Sequence, residues 1–438
     1  MPILRLLFVS VFFLGFSAVV AQQRQDPRGP KLPAPYDSKS VIKHAKVIGW
    51  PTGKTPVAPE GFKVQAFVAK IENPRWLYTL PNGDVLVAQS RTLPKPTAKE
   101  KEEAEKSAKE KKQEEGFKKS KTVTGDSPNR ITLLRDADGD GVAEVNETYL
   151  EGLKQPLGMV LIKDTLFIAA TDGVWKFAYD PASKPRLEAG KKILELPAGG
   201  YNNHWTRNLV ANKDGTKLYI SVGSASNVGE YGMEEEKHRA NVLEANLDGS
   251  GLRVFAGGLR NPVGMDWDPN SGKLWTVVNE RDELGDELVP DYLTSVQDGK
   301  FYGWPYSYFG QNEDPRRKGE QPDLVASAVV PDFALDPHSA SLGLTFYRGK
   351  TFPAAYQGGA FIDQRGSWNR SKFAGYRVAF VPFKDGMPAG KAEDFLTGFI
   401  ANEDEVYGRP VGVTVAKDGS LLVADEPGNV IWRVSVKK

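Results

Sequence analysis

The sequence predicts an all-β fold, a six-bladed β-propeller with four-stranded antiparallel blades, carrying one charged insertion that is either helical or disordered. Three observations predict it. A loop-and-strand phrase repeats: Gly152-Leu153-Lys154-Gln155-Pro156-Leu157-Gly158-Met159 returns as Gly258-Leu259-Arg260-Asn261-Pro262-Val263-Gly264-Met265, and more loosely as Gly408-Arg409-Pro410-Val411-Gly412-Val413. Each copy leads, after a turn-rich step, into a β-branched and aromatic run: Thr165 to Ala170, Lys273 to Val278, Ser420 to Ala424. Turn dipeptides such as Asn82-Gly83, Asp172-Gly173, Asp214-Gly215 and Asp418-Gly419 punctuate the chain from Phe62 onward, with no long amphipathic helix between them. Repeated loop-strand units imply an array of similar sheets whose loops converge on a shared centre.

The units fall at 61–135, 146–180, 192–247, 252–300, 332–383 and 392–436; seven is the other count the turns allow. The last strand, Asn429 to Val436, must then meet the first, Phe62 to Val68, so that no sheet edge stays open. Ahead of the propeller (61–438), residues 1–21 read as a signal peptide. Arg5 supplies the positive region, Leu6 to Val20 the apolar run, and Val19-Val20-Ala21 the small residues before a cut. An uncleaved anchor helix is the other reading, for which the run is short. Residues 22–60, rich in proline, glycine and lysine, read as a linker or surface arm. The insertion spans 97–121 within the first blade. Its core, Lys99 to Lys121, is almost wholly Lys, Glu, Ala and Gln, with Glu102/Lys106 and Glu105/Lys109 at helical spacing. A partner-docking arm is the alternative.

Of the 438 residues, 57 are Lys or Arg and 56 Asp or Glu, a net charge of +1 that argues against nucleic acid as a partner. Cysteine is absent, so an exported chain would have no disulfides, no thiolate catalysis and no thiolate metal site. With only His44, His204, His238 and His338, a zinc site of several histidines is hard to assemble. The signal peptide predicts a periplasmic or secreted protein, and no later segment is long and apolar enough to span a membrane.

Four places could carry chemistry. Asp136 to Glu147 fits a calcium loop, with acidic oxygens from Asp136, Asp138, Asp140, Glu144 and Glu147 and a glycine, Gly141, at the sharp turn. A strand precedes it, however, where an EF-hand has a helix, and an acidic hairpin turn is the alternative. His204, among amides and just before Arg207, is placed to be a general base, with His338 in the corresponding loop of the fifth unit as its competitor. Arg207, Arg260, Arg365 and Arg409 come one each from the third to sixth units. Guanidiniums turned into a central funnel suit a polyanion, although blade-to-blade ion pairing would also employ them. Finally, Asn279 to Glu287 packs Glu280, Asp282, Glu283, Asp286 and Glu287 together directly after a strand, a density that calls for a cation or solvent.

Several marks taken together resemble the pyrroloquinoline quinone (PQQ) dependent sugar dehydrogenases, in the branch of sorbosone dehydrogenases. They are Leu259-Arg260-Asn261-Pro262-Val263-Gly264, Asn279-Glu280-Arg281-Asp282, Phe301-Tyr302-Gly303-Trp304-Pro305, Gly366-Ser367-Trp368-Asn369-Arg370 and Gly408-Arg409-Pro410. The resemblance, over most of 61–436, implies PQQ over the channel and a calcium ion bridging cofactor and protein. It implies His204 as base and Gln155, Arg260, Asn261, Arg365 and Arg409 as cofactor contacts, with Arg207 in the same funnel set. The substrate would be an aldose or sugar aldehyde, and the electron acceptor a cytochrome c or a quinone. Two departures stand out. Val411 occupies the place of a second arginine of the glucose branch, and Arg281-Asp282 replaces a glycine-proline pair whose carbonyls hold calcium. Two other classes remain open: a calcium-dependent propeller lactonase or esterase, and a non-catalytic propeller that binds glycan or protein.

Overall fold

The computed structural model describes residues 29–93, 126–199 and 202–437. The predicted signal peptide and the 97–121 insertion therefore lie outside the described residues. What is described is mostly strand, folded as six four-stranded antiparallel sheets in a ring. Blade one runs Pro74–Thr79, Val85–Gln89, Arg130–Arg135 and Val145–Glu151. Blades two, three, four and five begin at the inner strands Met159–Ile162, Arg207–Ala211, Pro262–Trp267 and Ser341–Phe346. Blade six takes Pro410–Val415, Leu421–Asp425 and Val430–Val436 from the end of the chain, and its outer strand, Phe62–Ala69, from the beginning.

The predicted closure of the ring is thus met, but the unit boundaries are each one strand early. Lys191–Glu195 opens the predicted third unit yet forms the outer edge of blade two; Arg253–Gly257, Phe333–Pro337 and Glu393–Leu396 are displaced the same way. The reason is that the links from an outer strand to the next inner strand, from the short Pro337 to Ser341 to the long Leu396 to Pro410, overlap in length with the links inside blades, so turn signals do not distinguish the two.

The repeated phrase has a steric cause. Inner strands of neighbouring blades cross at its glycine. A Cβ on Gly158 would stand 2.4 Å from the Leu209 nitrogen of blade three, and one on Gly412 would stand 2.4 Å from the Arg75 carbonyl oxygen of blade one. No side chain fits there. Between each pair of blades lies one apolar cluster, such as Phe167, Ala169 and Val174 against Leu209, Leu218 and Ile220 for blades two and three. This burial is the main term holding the ring, at about 25 cal/mol per Å² of apolar surface.

Residues 29–60 are tied along one rim. The Tyr36 amide donates to the Leu284 carbonyl (2.6 Å), Lys43 to Trp368 (2.8 Å) and Ile48 to Val406 (2.9 Å), crossing blades four, five and six. His44 stacks on Trp368 with centroids 5.9 Å apart. Trp50 packs edge-on against Phe399 and Trp432, and its indole donates to Asp425 at 2.6 Å.

Candidate functional site

That rim is also where the inner strands begin and the second strands end, so Gln155, His204, Arg260, Asn261, Arg365 and Arg409 all emerge on one face. His204 precedes the inner strand of blade three and its ring is fixed by blade-three partners: Nδ1 lies 2.8 Å from the Ser224 carbonyl and 2.9 Å from Ser224 Oγ. A carbonyl only accepts, so Nδ1 carries the hydrogen and Nε2 keeps its lone pair. Burial and then the nearby Arg260 charge hold the imidazole well below the usual histidine range, outweighing the Ser224 bond. Gly223 sits between His204 and Asn261; a Cβ on it would come 2.5 Å from His204 Cβ and 2.4 Å from Asn261 Oδ1.

Arg260 is buried. It donates to the Glu280 carbonyl (2.7 Å), to Asn227 Oδ1 (2.8 Å) and to Asp282 Oδ2 (3.2 Å). Across the mouth, Arg365 and Arg75 meet on one buried carboxylate, with Arg409 close to Arg365. Glu426 accepts from Arg365 Nε at 2.6 Å and from Arg75 Nη1 at 2.7 Å. Burial would raise Glu426, but these two guanidiniums outweigh it and hold it at about 2. Arg365 in turn is lowered to about 10 by burial and by Arg409 and Arg75. Arg409 donates to the Tyr376 hydroxyl (2.9 Å) and lies over the same ring. Arg75 also lies over Trp205, the neighbour of His204, at 5.1 Å, so the two halves of the rim meet. Gln155, at φ 45°, turns its amide to the Arg91 carbonyl (2.8 Å).

Arg207 is not aimed at the mouth: its Nη atoms donate to the carbonyls of His204, Thr206 and Pro197. Asp136, Asp138, Asp140 and Glu144 bring ligand oxygens within 4.8 Å of one another, in a hairpin between two strands of blade one. Glu147 is outside the group, on the outer strand, with Lys184 at 2.8 Å. The 280–287 run does not converge. Glu280 pairs with the buried Arg281 (2.9 Å), Asp282 with Arg260, Asp286 accepts from the Ser371 amide (2.6 Å), and Glu287 meets Arg370 (2.5 Å). Arg281 itself also grips Asp314 at 3.1 Å and the Ser307 carbonyl at 2.7 Å, fixing the 302–308 segment.

Sequence reasoning missed Arg75, Glu426, Ser224 and Arg239. Arg75 had a signal, since Asn73-Pro74-Arg75 echoes Asn261-Pro262; Glu426 had none, its partners lying 351 and 61 residues away.

Fold and rim together define a propeller enzyme scaffold that sets a neutral imidazole beside an excess of buried guanidinium. Residues 170–367 match the family described as Glucose / Sorbosone dehydrogenase, and residues 307–437 one described as TrAA12-like. An uncharacterized protein of Borreliella burgdorferi is 30% identical over 301 residues, 66% of this chain and 78% of that protein. The chain belongs to the glucose/sorbosone dehydrogenase family. A pyrroloquinoline quinone-dependent pyranose dehydrogenase of Coprinopsis cinerea is 24% identical over 331 residues, 60% of this chain but only 44% of that longer protein. The calcium structure of a Trichoderma reesei carbohydrate-active enzyme of family AA12 shares the fold, with a TM-score of 0.69 at 17% identity over 90% of this chain and 98% of that one. Among the described residues no helix is long and apolar enough to cross a membrane.

Proposed function

We propose that this chain is an exported, periplasmic or secreted dehydrogenase that oxidises an aldose or a sorbosone-like sugar aldehyde. PQQ is its cofactor, calcium its metal, and a cytochrome c or quinone its electron acceptor. One observation carries the reading: at the mouth, Arg75 and Arg365 share the single carboxylate of Glu426, while the buried Arg409 beside them pairs with no carboxylate and donates to the Tyr376 hydroxyl. Buried cations in excess of their counter-charges are costly unless an anion joins them. PQQ, with three carboxylates, is such an anion, and the names of the similar proteins support the choice.

The residues present fit it. Asn261 Oδ1 and Arg409 Nε are buried without a hydrogen-bond partner among the described residues, leaving an acceptor and a donor for a ligand. Arg260, Asn261, Arg365 and Arg409 would hold the cofactor, with Gln155 at the edge. When bound, PQQ supplies the hydride acceptor. His204, uncharged and with Nε2 open, takes the proton of the substrate hydroxyl, and Arg260 beside it favours negative charge forming in the site. Calcium is assigned to the Asp136–Glu144 loop, where the oxygens already gather. The 280–287 carboxylates each have a partner, do not form an evident cation site, and no step is assigned to a metal there.

The test is to add PQQ and calcium to purified protein and follow bleaching of a dye acceptor over a panel of aldoses and aldehydes. Bleaching that requires PQQ is expected. Absence of both bleaching and PQQ binding would overturn the reading, and lactone hydrolysis without PQQ would replace it.

A further inference from the structure

Arg207 opens the inner strand of blade three and has 0% exposure. Its Nη1 donates to the carbonyls of His204 (2.8 Å) and Thr206 (2.9 Å), and its Nη2 to the Pro197 carbonyl (2.7 Å) and Asn202 Oδ1 (3.3 Å). One planar fork therefore ties both ends of the 197–206 loop, and His204 is on that loop. Arg239, 5% exposed, reaches the same Asn202 Oδ1 at 2.7 Å. Among the described residues neither guanidinium has a carboxylate within ion-pair distance, and the Nε of each is buried without a partner.

Two buried guanidiniums with no carboxylate in ion-pair contact need a reason, because removing a charge from water is costly unless it is paired. Carbonyl dipoles satisfy part of Arg207, yet burial and then Arg239 still lower it to about 9. Around the imidazole stand Arg260, Arg239 and Arg207 as the charged groups, with Ser224 on Nδ1 and Asn261 across Gly223. Glu236 faces Arg239 and lies behind Ser226, and Asp282, Glu280 and Glu230 face Arg260; none of these carboxylates bonds the ring. The partners of Nδ1 are a hydroxyl and a carbonyl; the carbonyl bond favours a second proton, but burial and the surrounding guanidiniums outweigh it.

We infer that Arg207 and Arg239 are the positioning residues of His204: the fork of Arg207 aims the loop that carries the imidazole, and the unneutralised charge of the pair disfavours a second proton on the ring. This rests on His204 being the proton acceptor. A lysine at 207 would keep the charge but lose the fork, since an ammonium cannot span three carbonyls in one plane.

The test uses the full chain without cofactor. Imidazole resonances of the four histidines are followed against pH by NMR, with His204→Gln assigning the signal. In the parent, the His204 signal stays unprotonated where an exposed histidine titrates. In Arg239→Gln and in Arg207→Gln its midpoint moves upward, while burial and Arg260 still hold it below that of an ordinary histidine. In Arg207→Lys the midpoint stays near the parent's, while amides 202–206 exchange with solvent at least tenfold faster. Unchanged titration in both glutamine variants overturns the electrostatic role, and unchanged exchange in Arg207→Lys overturns the clamp. If Arg207→Gln does not fold, Arg239→Gln and Arg207→Lys still decide each half. A parent that fails to bind PQQ would sink the dehydrogenase proposal alone, because this titration uses none.

Discussion

His338 Nδ1 faces Asp282 Oδ1 at 3.5 Å, while Nε2 of the same ring lies 2.9 Å from the Gly285 carbonyl. Both nitrogens thus point at groups that only accept, an arrangement that favours the cationic ring. Burial opposes this, but the bond and charge of Asp282 outweigh it and raise His338 above the usual histidine range. Asp282 also accepts from Arg260. The competitor named from the sequence is therefore committed to holding a carboxylate, and His204 is the one of the two with an accepting nitrogen.

His204→Ala should leave the fold and PQQ affinity intact and lower turnover by roughly two to four orders of magnitude, as for a lost general base. His338→Gln should cost far less turnover. Single-turnover kinetics of the two variants, with cofactor binding measured separately, decides the assignment; parent-like turnover in His204→Ala would transfer the role elsewhere.

Glu426→Gln leaves Arg75 and Arg365 facing each other without a counter-charge. At neutral pH the loss should be about 3–5 kcal/mol, the usual cost of breaking a buried pair. The pH dependence has a definite sign. Glu426 is depressed from 4.5 to about 2 in the folded state, so its stabilisation is complete above about 4.5 and is lost as pH falls toward about 2. Its neighbour Asp425, raised to about 6 by burial, acts in the opposite direction: the folded state gains relative stability as pH falls through 6. Urea melts at successive pH values should show a steep decline below pH 4.5 in the parent and a flatter one in Glu426→Gln.

Calcium removal should lower the melting temperature and re-addition restore it, since a ligand that binds only the folded hairpin stabilises it by mass action. Asp138→Asn should abolish most of that difference. Superimposable melts with chelator and with calcium would remove the metal from the Asp136–Glu144 loop.

Trp50→Ala should destabilise by about 3 kcal/mol, the scale for losing a large packed aromatic. It removes packing on Phe399, Tyr407 and Trp432, whose centroids lie 5.4, 5.3 and 5.0 Å away, and the 2.6 Å bond to Asp425. Trp50→Phe should lose only the bond. Limited proteolysis should then cut within 29–60 first in the alanine variant.

The class of fold was legible because its cause is local: a proline, a glycine that a neighbouring strand crosses, then a β-branched run, as at Pro262, Gly264 and Leu274–Val278. Rim arginines beside those prolines, Arg260 and Arg409, were legible for the same reason. The unit boundaries were not, since Lys191–Glu195 looks the same whether it edges blade two or opens blade three. Nor was the destination of each guanidinium. Arg207 and Arg260 both precede or enter an inner strand, yet one grips its own loop and the other reaches Asp282. Only three-dimensional neighbours separate those cases.

The strand pairing that completes blade six, Phe62↔Val436 through Ala69↔Val430, joins the first and last strands of the propeller. The ring is therefore a clasp that Val430–Val436, far along the chain from its partner strand, must fasten. Until Val430–Val436 emerges, blade six lacks the strand that links its inner pair to Phe62–Ala69, and the flanking apolar surfaces stay wet. Such a late, long-range contact is slow to form, so closure of the ring follows the building of the other blades from neighbouring segments.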